Sequence, residues 1–119
     1  MKNLFDADTY QEIARRLDTL KPDSPRQWGK MQPSQALEHL ARVLDSVLGP
    51  QPARQMFLGK MIGWMVEGRF LGPELAAFHA LGRDGADGRI HLFFGPLTGQ
   101  KWGETQYKHF DHHLGQFGV

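Results

Sequence analysis

Residues Trp102–Phe117, WGETQYKHFDHHLGQF, carry three of the chain's six histidines within five residues of one another. Advanced at roughly 100° per residue, this stretch puts His109 and His113 on one helical face, one turn apart. Trp102, Gln106, Phe110 and Phe117 fall on that same face, while His112 points about 80° or more away from it. Two imidazoles one turn apart inside an apolar stripe project the same way, at a separation that one metal ion can span. The spacing predicts a helix beginning near Thr98, whose hydroxyl suits a cap, and running to Val119.

The same periodicity governs the rest of the chain. A first helix is predicted from Asp8 to Leu20, with Tyr10, Ile13, Ala14, Leu17 and Leu20 as its buried stripe and Asp6 and Asp8 capping its start. Lys21-Pro22-Asp23-Ser24-Pro25 stops it, because proline disfavours helical geometry in the residue before it. A second helix starts near Pro33 and presents Ala36, Leu37, Leu40, Val43, Leu44, Val47 and Leu48 inward, ending at Gly49-Pro50. A third covers about Gln55 to Leu71 and is apolar around much of its circumference. A brief helical piece follows from Pro73 to Leu81. Gly82 to Gly88 reads as a flexible turn, whose acids do not have the spacing of a calcium loop. Ile90 to Phe94 reads as a short extended run. Trp28, Trp64, Trp102 and the phenylalanines are assigned to the core. Residues 1–119 therefore form a single all-α domain, most simply a small helical bundle.

Composition excludes several classes of function. The formal net charge is +1, from 14 Lys and Arg against 13 Asp and Glu, with the signs interleaved, so there is no basic face for nucleic acid. There is no cysteine, so disulfides, thiolate nucleophiles and sulfur ligands are out and a metal site must use His, carboxylate or water. The first residues are polar and acidic rather than signal-like, and Met56 to Val66 is about half the ~20 residues that span a bilayer. A cytoplasmic protein with no membrane partner is expected.

Two ligands do not make a useful metal site, so a third must come from another helix. His39, on the flank of the second helix, is the natural donor, His91 is its competitor and His79 a weaker one. His112 faces solvent or donates to an acceptor behind the ligands. Gln106 and Gln116, about one turn either side of the pair, either orient an imidazole or a bound water or are plain amides at the bundle edge. A divalent transition ion such as zinc or nickel held by three imidazoles keeps positions open for water. Such an ion lowers the pKa of bound water toward ~7.

The segments KNLFDADTYQEIARRLDTLKPDSPRQWGKM, SQALEHL, FLGKMIG, FFGPLT and WGETQYKHFDHHLGQFGV resemble a short, uncharacterised bacterial branch of the DinB-like superfamily. The likeness covers the chain up to about Gly72 and its last thirty residues, and HFDHHLGQFG after WG is its most specific part. The resemblance implies a DinB-like four-helix bundle with a metal held by one histidine on the second helix and two, four residues apart, on the last. Carried across by position, these are His39, His109 and His113. It further implies a metal-dependent hydrolase or a thiol S-transferase acting with a low-molecular-weight thiol. The stretch from Gly72 to His91 is shorter than in the family, so one bundle helix is expected to be shortened or missing. A homodimer or a helix-exchanged oligomer would fill the resulting trough. The competing expectation is a non-catalytic bundle that assembles through apolar surface and binds metal adventitiously.

Overall fold

The computed structural model describes residues 1–49 and 63–119. Among them are four helices and one small hairpin: α1 (Ala7–Thr19), α2 (Pro33–Leu48), α3 (Gly63–Ala86), β1 (Ile90–His91), β2 (Gly95–Pro96) and α4 (Gly99–Gly115). The all-α class holds. Of the helix expected over Gln55–Leu71, residues 55–62 lie outside the described residues, as do the side chains of Phe57, Trp64 and Phe70. Among the described residues no helix is long and apolar enough to cross a membrane.

The helix starts follow local chemistry, with one exception. Pro33 opens α2, where Gln32 and Gln35 cap one another through a reciprocal side-chain and backbone pair. Thr98 caps α4, its Oγ1 accepting from the Lys101 amide at 3.1 Å. At α1 the expected aspartate cap is absent: Asp6 stands at the N-cap position without a side-chain bond to the helix. Its carboxylate instead accepts from Arg83 Nη2 at 3.0 Å, a longer-range ion pair that outcompetes the local cap.

The lead-in to α1 is ordered by Asn3, which is 1% exposed. Its Oδ1 accepts from the Phe5 amide at 2.9 Å and its Nδ2 donates to Gln100 O at 3.0 Å. Leu4 N donates to Gly103 O at 3.1 Å. The approach is so close that a Cβ on Gly103 would stand 1.8 Å from Asn3 Oδ1, so only glycine fits there.

α3 corrects two expectations. The chain stays helical through Pro73 to Leu81, where a break after Leu71 was expected; the kink comes at Gly82, where the turn was expected to begin, but a further helical stretch then reaches Ala86. Pro73 lies on an exposed face. On the other side Leu71, Leu75 and Phe78 are each 1% exposed or less, and this burial outweighs the backbone hydrogen bond that proline removes. Gly82 adopts φ 71°, ψ 172°, an interruption open to glycine, after which the helix resumes and buries Ala86 completely. Between Gly72 and His91 the chain is thus helical as far as Leu81 and again up to Ala86.

α3 and α4 pack together at the centre, with α1 and α2 each touching both of them; α1 and α2 do not meet among the described residues. Leu4, Ile13, Leu44, Phe78, Trp102 and Phe110 are fully buried where these elements join. The hairpin pairs Ile90 with Pro96 and His91 with Gly95, antiparallel. It is tied to the bundle by Arg89 Nη1 donating to Val47 O and by Trp102 Nε1 donating to Arg89 O at 3.0 Å. Phe93 and Phe94 do not join the core as expected: they are 72% and 64% exposed, and Ile90 and Leu92 beside them are exposed as well. Trp28 is likewise exposed, resting edge-on against His112.

Candidate metal centre

α4 exposes its inward face as the periodicity requires: Trp102, Gln106, Phe110 and His113 are buried, as is Phe117 just beyond the helix, and His109 is half-buried at the stripe's edge. α2 crosses opposite with His39 at its flank, also half-buried. Three rings from two helices therefore meet. Ring centroids lie 4.7 Å apart for His39 and His109, 4.9 Å for His39 and His113, and 4.8 Å for His109 and His113. One ring nitrogen from each lies within 4.8 Å of the other two. This group could hold a metal ion.

The donor set fits a borderline transition ion. With metal–nitrogen bonds of about 2.0–2.1 Å, tetrahedral geometry sets the nitrogens about 3.3 Å apart, so the widest pair here needs to close by about 1.5 Å. All three rings are held in the neutral form that ligates. His109 is pushed down to about 3, first by burial and then by its histidine neighbours, His113 foremost. Burial, then the Arg42 guanidinium, lowers His39. Burial lowers His113 as well, against a smaller opposing effect of its hydrogen bond to Gln116.

That hydrogen bond fixes the tautomer of His113. Nδ1 lies 2.9 Å from Gln116 Oε1, an acceptor only, so Nδ1 carries the proton and Nε2 keeps its lone pair. Gln116 is itself held by the 27–29 loop: its carbonyl accepts from Gln27 N at 2.6 Å, and Gly29, at φ 83°, lies against its amide. No sequence signal marked this loop as part of the site.

The other histidines divide cleanly. His79 sits 2.9 Å from Leu4 O through Nδ1 and stacks on Tyr10 at 4.3 Å, away from the cluster. His91 Nδ1 accepts the amides of Phe93 and Phe94 at 3.0 and 3.4 Å, so it shapes the hairpin turn while its ring tilts against Trp102. Burial lowers its pKa too. His112 is exposed and outside the three-ring group. Gln106 is 0% exposed, and neither amide atom has a hydrogen-bond partner among the described residues, so it orients none of the imidazoles directly.

His109 opens onto a cleft of about 460 Å³. Val43, Phe93 and Phe94 form its apolar side, and Thr105, Lys108, His91 and His112 complete it. His39 faces a second depression of about 290 Å³, bordered by Gln35, Glu38 and Arg42. Sequence reasoning missed the main cleft because Phe93 and Phe94 read as core residues. Compared with protein-family models, curated proteins and solved structures, the chain matches none.

Proposed function

We infer that His39, His109 and His113 bind a divalent transition ion, zinc or nickel, and that the chain is a divergent DinB-like metalloprotein of the cytoplasm. Its reaction is hydrolysis or the transfer of a low-molecular-weight thiol. The observation that carries this reading is the convergence of three imidazoles from α2 and α4, one ring nitrogen of each within 4.8 Å of the other two. When bound, such an ion supplies a Lewis acid at neutral pH, on which both reactions draw. The protein's own residues do the remaining work. Burial keeps the rings unprotonated, Gln116 holds Nε2 of His113 available, and the cleft at His109 receives a small molecule beside the cluster.

The test is zinc and nickel binding to protein prepared without an affinity tag, followed by a panel of hydrolase and thiol-transfer assays with each ion. One tightly bound ion per chain, lost together with activity in His39→Ala while the fold is kept, supports the reading. Failure to take up either ion in excess overturns it.

A second reading is a non-catalytic bundle that self-associates, favoured by the exposed apolar residues of the hairpin, Phe93 at 72% above all. This tip is the surface through which a homodimer would form. Sedimentation decides it: a dimer that Phe93→Ser dissociates, in a protein without metal-dependent activity, favours assembly over catalysis.

A further inference from the structure

The cleft beside His109 has a chemical character of its own. Phe93 and Phe94 are 72% and 64% exposed, yet their backbone is fixed, because both amides donate to the buried His91 ring and the hairpin is anchored to Val47 O and Trp102. Two aromatic rings, lying against the His91 ring at centroid distances of 5.9 and 4.7 Å, are thus displayed on a rigid support that lines the cleft together with Val43, and most of their surface stays in water. The polar side differs in sign from an ordinary surface. No carboxylate lines the cleft among the described residues, whereas Lys108 does. Lys2 and Lys101 are paired with Glu12 and Glu104, but Lys108 has no ion-pair partner among the described residues. Lys108 and His109 are neighbours on α4, so a group held by the ammonium lies beside the three-histidine cluster.

We propose that this cleft binds small organic anions with an apolar body, the body packing on Phe93, Phe94 and Val43 and a carboxylate pairing with Lys108. The inference rests on the metal-centre reading in one respect: it names the class of molecule presented to that centre. Binding itself needs no metal, and this separates the two tests.

Metal-free protein is titrated by calorimetry with hexanoate, 1-hexanol and hexylamine. Hexanoate binds about fivefold more tightly than hexanol, the scale of one partly exposed ion pair, and hexylamine binds least. Lys108→Ala brings hexanoate to the level of hexanol, Lys108→Glu reverses the order of hexanoate and hexylamine, and Phe94→Ala weakens all three. Lys108 and Phe94 are exposed, so the variants retain the wild-type melting temperature. Equal binding of hexanoate and hexanol, no binding at millimolar concentration, or a preference that survives Lys108→Glu overturns the proposal. Zinc titration of the same samples reads the metal centre separately. Zinc uptake without anion preference overturns this inference alone, and anion preference without zinc uptake leaves the anion site standing and removes the metal centre.

Discussion

Acid should weaken the metal-free fold through His109 in a way that a single substitution isolates. In the folded protein the ring is pushed from 6.5 to about 3, mainly by burial and next by the neighbouring His113. The unfolded chain leaves it near 6.5, so the stability tied to its neutral form is fully present above that pH. It declines as pH falls from 6.5 toward 3, because the unfolded chain takes up a proton that the folded protein refuses. The slope approaches about 1.4 kcal/mol per pH unit, and between about pH 7 and pH 5 the loss comes to about 2 kcal/mol. Carboxylates contribute to acid unfolding in any variant, so a difference is needed. Urea unfolding of the metal-free wild type and of His109→Phe across this range supplies it. The variant should lose about 2 kcal/mol less than the wild type on going to about pH 5, because it lacks the refused proton. Parallel stability curves, or a His109 ring that titrates near 6.5 by NMR, would refute the electrostatic account of the cluster.

Zinc should raise the wild-type unfolding midpoint, by the equivalent of about 2.7 kcal/mol at a hundredfold excess over the dissociation constant, and calorimetry should show this gain abolished in His39→Ala. Gln116→Ala should weaken zinc binding by roughly 10–100-fold with the three ligands intact, since His113 loses the acceptor that fixes its tautomer, and Gln116→Glu should restore most of it. Gly103→Ala should cost about 3 kcal/mol in urea unfolding, because its methyl group cannot share space with Asn3, and hydrogen exchange at Leu4 and Phe5 should accelerate.

The pairing of His109 with His113 was legible because it depends only on helical repeat, and the rings accordingly share one face of α4. The meeting with His39 was less legible, since a flank position on α2 is compatible with either a site or solvent until the crossing of α2 over α4 is known. What sequence could not supply is tertiary competition. Asp6 reads as a cap until Arg83, distant in sequence, claims its carboxylate. Gly72-Pro73 reads as a helix end until the burial of Leu71, Leu75 and Phe78 carries the helix across it. Phe93 and Phe94 read as core because hydropathy reports what a residue prefers, and a hairpin pinned by His91 and Arg89 holds them where they do not prefer to be. Gln116 was legible as a neighbour of the pair, but the loop that holds it was not, because contacts between Gln27–Gly29 and the end of α4 leave no periodic trace.

These departures cluster, and their clustering is an argument about function. The inward side of α4 is a seam suited to apolar side chains, yet it carries two of the three imidazoles and a fully buried Gln106 whose amide has no partner among the described residues. An unpaired buried amide costs about 1–3 kcal/mol, and aliphatic side chains of similar volume would avoid that cost. Next to the seam, two phenylalanines stand in water on a braced hairpin. Sites that break local rules without a packing gain are where a protein gives up stability for chemistry. Replacing Gln106 by Leu distinguishes the two interpretations: it should stabilise the metal-free fold, and if the seam serves the metal centre it should do so while reducing zinc affinity or turnover. Stabilisation with both retained would make Gln106 a bystander and confine the site to the three imidazoles and Gln116.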